Sequence, residues 1–74
     1  GILDGDLLVV ECFYRAQHGD IVIATVDGEF TCKRLQLLPR PMLLPANPAF
    51  APIPLGDDIE TVIFGVVRHA IHTL

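Results

Sequence analysis

No residue of this chain is serine, so a serine nucleophile is excluded from within these 74 residues. Basic residues are scarce: five Lys and Arg stand against nine Asp and Glu, for a net charge of −4 and an isoelectric point near 5.0. Neutralising a nucleic-acid backbone needs clustered cations, so direct nucleic-acid binding by this domain is not expected. No apolar run approaches the roughly 18 residues of a membrane-spanning helix. No charged start followed by an apolar stretch marks a signal peptide, and a cytoplasmic setting without membrane contact is the expectation. The two cysteines, Cys12 and Cys32, form no CxxC and have no histidine at zinc spacing, so they are expected to be reduced and half-buried. No cofactor is implied.

What is present is apolar surface. The chain is 51% hydrophobic with a mean hydropathy of +0.52, more than one small core can hide. A single domain over residues 1–74 is expected, either cut from a larger one or self-associating. The start at Gly1, without Met and directly before a strand-like run, points the same way.

The pattern is strand and turn throughout. Asp6 to Glu11 follows Asp4-Gly5, and Ile21 to Val26 follows His18-Gly19-Asp20. Asp27-Gly28 is a strong two-residue hairpin signal, because both positions must take positive φ, and Glu29 to Leu37 is the return strand. All six prolines fall between Pro39 and Pro54. They predict an extended connection with one short strand at Met42 to Leu44, because proline lacks the amide donor. Glu60 to His72 is rich in β-branched residues, with Gly65 as a bend or bulge. No long stretch has a helical period. The fold class is therefore all-β, a small, strongly curled sheet or partial barrel.

A two-residue loop sets Val22 opposite Lys33 and places Val22, Ala24 and Val26 on one face with Glu29, Thr31, Lys33 and Leu35. An ammonium group among apolar side chains loses hydration, which favours the neutral amine that can accept a serine proton. A lone strand lysine is usually a surface residue with its stem on apolar neighbours, and the pattern by itself does not make Lys33 a base. Cys32 falls on the opposite face and lacks a base to make it a nucleophile. His69 and His72 are three apart, which on a strand separates them and disfavours metal binding. Asp57, Asp58 and Glu60 read as a solvated acidic turn, and Asn47 with its prolines as a turn former.

The segment His18-Gly19-Asp20-Ile21-Val22-Ile23-Ala24 followed by Asp27-Gly28-Glu29-Phe30-Thr31-Cys32-Lys33-Arg34-Leu35-Gln36-Leu37 closely resembles the UmuD branch of the LexA/UmuD self-cleaving peptidases. Gly1 to Val9 looks like the segment after that family's catalytic serine. Leu44 to Ile53 looks like its proline-rich connection, and Phe64-Gly65-Val66-Val67 like its last core strand. The resemblance implies a C-terminal peptidase-type domain with Lys33 as general base and Thr31 as a hydroxyl that can orient the amine. It implies an SOS-response protein whose cleavage is stimulated by a RecA–single-stranded DNA filament. The product would form a homodimer that acts with a Y-family, UmuC-like DNA polymerase subunit in translesion synthesis. The family's usual valine at position 32 is Cys32 here. Its Ser-Met motif would precede Gly1, so the 74 residues alone are expected to be inactive. A non-catalytic dimerisation module, a LexA-like repressor domain and a signal-peptidase relative are the competing readings.

Overall fold

The computed structural model describes residues 5–12, 15–56 and 62–72. Its strands are β1 (Leu7–Glu11), β2 (Ile21–Val26), β3 (Glu29–Gln36), β4 (Met42–Leu44), β5 (Ile53–Pro54) and β6 (Ile63–Ile71). They form one antiparallel sheet in the order β1-β6-β2-β3-β4-β5. The sheet is not closed, since β1 and β5 form its two edges. The all-β, curled-sheet expectation holds.

The β2–β3 hairpin shows why the register was foreseeable. Asp27 and Gly28 take φ of 51° and 79°, the mirror-image turn whose twist matches that of the strands it joins. Pairing then runs from Val26↔Glu29 to Ile21↔Arg34. The period of two puts Val22, Ala24 and Leu35 on one face, where Leu43 of β4 and Val66 of β6 join them; all five are at most 1% exposed. Ala16, Leu37, Leu55 and Val62, from outside the strands, close over this cluster.

Two departures from the sequence expectation are informative. The proline-rich connection holds a second short strand, β5, paired to β4 through Leu43↔Ile53 and Met42↔Pro54. An edge strand tolerates Pro54 because the missing N–H need not face a neighbour. The bulge expected at Gly65 falls one residue earlier. Ile23 pairs with Gly65 and Ala24 with Ile63, so Phe64 is the extra residue, its ring edge-on to Phe30 at a centroid distance of 5.3 Å.

Gly65 serves instead as a crossing point. A Cβ there would lie 2.5 Å from Val10 Cγ1 and 3.0 Å from the Glu11 carbonyl oxygen. Only glycine lets β1 approach β6 so closely. Beyond this crossing, Arg68 is the extra residue of a second irregularity, and its Nε donates to Glu11 Oε2 at 3.2 Å. At the other end of β1, His72 Nδ1 lies 3.0 Å from the Asp6 carboxylate. Gly65→Ala is expected to destabilise the protein by about 1–3 kcal/mol, as overpacking does. Urea denaturation monitored by circular dichroism checks this, and an unchanged midpoint would contradict the crossing.

Candidate functional site

The face that buries Val22 also carries the only lysine of the chain. Lys33 is half-buried directly across from Val22, which in turn pairs with Val66 on its far side. The row Val66–Val22–Lys33 thus runs from core to margin. It ends at Lys33 because β4 is short: pairing with β3 begins at Arg34↔Leu44 and proceeds away from the lysine. Among the described residues no strand pairs with Glu29 to Lys33 on the side away from β2.

The same shortness leaves backbone groups facing outward. The Leu35 amide donates to the Asp20 carbonyl and its carbonyl accepts from the Gly19 amide, both at 2.8 Å, so Leu35 is spent on the β2 side. Antiparallel hydrogen bonding alternates along a strand. The peptide groups of Phe30 and Cys32 therefore turn toward the open edge, beside the lysine.

Lys33 and Thr31 share this face, two residues apart. Lys33 Nζ donates to Thr31 Oγ1 at 2.5 Å and also lies 3.5 Å from the Cys32 carbonyl oxygen. An amine held by one N–H on a fixed hydroxyl has its remaining valences directed away from that hydroxyl, toward whatever occupies the open margin. The arrangement suits an amine that exchanges a proton with a group arriving there.

The other residues weighed on sequence distribute differently. Cys32 lines an open groove together with Ile21, Lys33, Arg34, Leu44 and Ala70. Burial pushes its thiol above the usual value, and the Lys33 charge opposes this in part. Less thiolate at neutral pH means slower alkylation. Cys32 is thus expected to react with iodoacetamide several-fold more slowly than Cys12, read by mass spectrometry of digested peptides. Equal rates would contradict the burial. Cys12 is exposed rather than half-buried, because it follows edge strand β1, and both thiols are free. His72 pairs with Asp6, and no three His, Cys, Asp or Glu among the described residues are grouped to hold a metal. Asn47 Oδ1 accepts from the Ala49 amide at 2.9 Å, making the expected turn. Asp57, Asp58 and Glu60 lie outside the described residues. No described helix is long and apolar enough to cross a membrane.

Sequence reasoning missed the wider role of His18, whose Nδ1 accepts from the Leu37 and Leu38 amides. A contact across 19 and 20 residues leaves no local signal.

The described residues thus form an open, curled antiparallel sheet with one lysine at the margin of its core face. The Peptidase S24-like family model matches residues 1–68, and the chain belongs to that family. It is 54% identical to Protein ImpA of Salmonella typhimurium over 97% of its own length and 49% of ImpA's. It is 49% identical to Protein MucA of Escherichia coli, over 95% of the chain and 49% of MucA. It is also 49% identical to LexA repressor 1 of Xanthomonas campestris pv. campestris, over 89% of the chain and 33% of that repressor. The chain therefore spans about half, or less, of the curated relatives it matches.

Proposed function

We propose that these residues are the lysine-bearing part of a self-cleaving serine peptidase domain of the UmuD type. The observation that carries this is the placement of Lys33: half-buried across from fully buried Val22, with Nζ 2.5 Å from Thr31 Oγ1, at a margin with free strand edge. In this reading a serine from sequence preceding Gly1 in the parent protein enters the margin. Neutral Lys33 takes the serine hydroxyl proton as Oγ attacks the scissile carbonyl, then returns it to the leaving amine; water hydrolyses the acyl-enzyme. Thr31 holds the amine so that its lone pair meets the hydroxyl. The outward-facing peptide groups of Phe30 and Cys32 offer the substrate segment a strand to pair with.

For the parent protein we propose the SOS mutagenesis role. A RecA–single-stranded DNA filament stimulates cleavage, and the shortened product dimerises and works with a UmuC-like polymerase subunit. The similarity to ImpA and MucA over nearly the whole chain supports this branch. The match to a LexA repressor favours one second reading, a repressor whose DNA-binding part lies elsewhere.

Incubating the full-length protein with RecA filament tests the reading. A discrete two-fragment cleavage supports it, and an uncleaved protein contradicts it. Thr31→Val, which keeps the shape but removes the acceptor, is expected to slow cleavage by about tenfold, equivalent to the loss of a hydrogen bond to a charged or developing charge. An unchanged rate would remove Thr31 from the site. Operator binding by the full-length protein would favour the repressor reading.

A further inference from the structure

The turn before β2 is fastened to the far end of β3 with unusual thoroughness for an exposed segment. Gln17 N donates to Asp20 Oδ2 at 2.8 Å and Asp20 N to the Gln17 carbonyl at 3.0 Å, which closes the turn. Gly19, at a φ of +91°, donates to the Leu35 carbonyl and accepts from Arg34 Nη1 at 2.9 Å. His18 then reaches past the strand end. Its Nδ1 accepts from the Leu37 amide at 2.9 Å and from the Leu38 amide at 3.2 Å.

A backbone amide is an obligatory donor, so two of them converging on one ring nitrogen require that nitrogen to offer its lone pair. His18 is therefore neutral in this arrangement, with its hydrogen on Nε2. Protonation would place a third N–H against the two amides, and both hydrogen bonds would be lost. Imidazoles are the side chains that gain a proton on mild acidification.

The charged groups on the neighbouring segments do not replace what protonation removes. On its own turn, Asp20 is engaged by the Gln17 amide, and Arg15 is a cation. From β3, Arg34 is turned to the Gly19 carbonyl, and Lys33 to Thr31. From the turn after β3, Arg40 contributes another cation, its carbonyl accepting from Gln36 Nε2 at 3.2 Å. Among the described residues no carboxylate pairs with His18.

We propose that His18 is a proton-operated brace: the neutral ring ties the connection after β3 to the turn before β2, and the protonated ring releases it. The released segment, Leu37-Leu38, links the strand that carries Lys33 to β4, so acid loosens the short β3–β4 pairing beside the lysine. The inference rests on hydrogen-bond geometry and not on the peptidase reading, and its test does not use cleavage.

Nitrogen-15 NMR of the imidazole and amide hydrogen exchange on the intact protein decide it. At about pH 7.5 the ring is expected to show a bare Nδ1 and a protonated Nε2. Between about pH 7.5 and 5, exchange at Leu37 and Leu38, corrected for its intrinsic pH dependence, is expected to rise about tenfold relative to the Leu35 amide. Leu35 is the internal reference because its acceptor, the Asp20 carbonyl, does not titrate. His18→Asn, whose Oδ1 sits where Nδ1 does and carries no titrating proton, is expected to keep both amides protected at either pH. His18→Ala is expected to leave both exposed at either pH. A protonated Nδ1 at the higher pH, exchange that does not respond to acid, or an Asn variant with the same acid response would each overturn the proposal.

Discussion

Replacing Lys33 by alanine is expected to abolish self-cleavage of the full-length protein, lowering its rate by about 10²–10⁴-fold or more, the range attributed to a positioned general base. These 74 residues hold no second lysine to substitute, and neither arginine nor water at the open margin can take the role. Arginine stays protonated under any condition the fold survives, so Lys33→Arg is expected to fail as completely. The fold should tolerate both changes. Nζ sits at the margin where β4 pairing has already ended, and its partner is a hydroxyl that water can satisfy. Thermal unfolding of Lys33→Ala is therefore expected within about 1 kcal/mol of the parent, which separates lost chemistry from lost structure. Gel-resolved cleavage with RecA filament is the measurement, and undiminished cleavage in Lys33→Ala would remove the general base from the proposal.

The largest effect on stability is expected at Leu35. This side chain is 1% exposed and stands in a cross-strand pair with Leu43, itself fully covered. Truncation to alanine removes three carbons from a cluster of five buried residues among those described. The loss expected is about 2–5 kcal/mol, transfer and cavity together. Domains as a class have about 5–15 kcal/mol in total, and chains this short lie toward the lower end. Leu35→Ala should therefore leave a large unfolded fraction at physiological temperature, visible as a broad, early thermal transition. Phe30→Ala is the contrast. Phe30 is 68% exposed despite its contact with Phe64, and its removal should cost under about 1 kcal/mol. A Leu35 variant no weaker than the Phe30 variant would mean the core has been misplaced.

Parts of this structure were readable from the sequence, and the reason differs for each. The hairpin was legible because Asp27-Gly28 is a local signal: two residues needing positive φ fix the loop, and the loop fixes every pair from Val26↔Glu29 onward. The face shared by Val22, Thr31, Lys33 and Leu35 followed from that register. Thr31 beside Lys33 is likewise a consequence of period two. What lay beyond reach depends on partners distant in sequence. The exposure of the β3 edge next to Lys33 comes from where β4 stops, and Gly65 is required by Val10 and Glu11 crossing from another strand. The acceptor role of His18 and the Asp6–His72 pair are of the same kind. The position of Lys33 across from Val22 could be inferred from pattern, but neither its burial nor a chemical role could. That came from resemblance to a family, and the geometry gives it a physical setting.

The place of β6 has a consequence for the order in which the protein is made. β6 lies between β1 and β2 and pairs with both, yet it is the last of the described strands to leave a ribosome. The β2–β3 hairpin can close on itself within microseconds of emergence. By contrast, among the described strands β1 has no neighbour until β6 arrives and pairs Leu7 with Ile71. Within this sheet β1 must therefore wait until β2 to β5 have been made before its partner β6 emerges. Completion of the sheet, and with it the covering of Val22 by Val66, is gated by a long-range contact and not by local pairing.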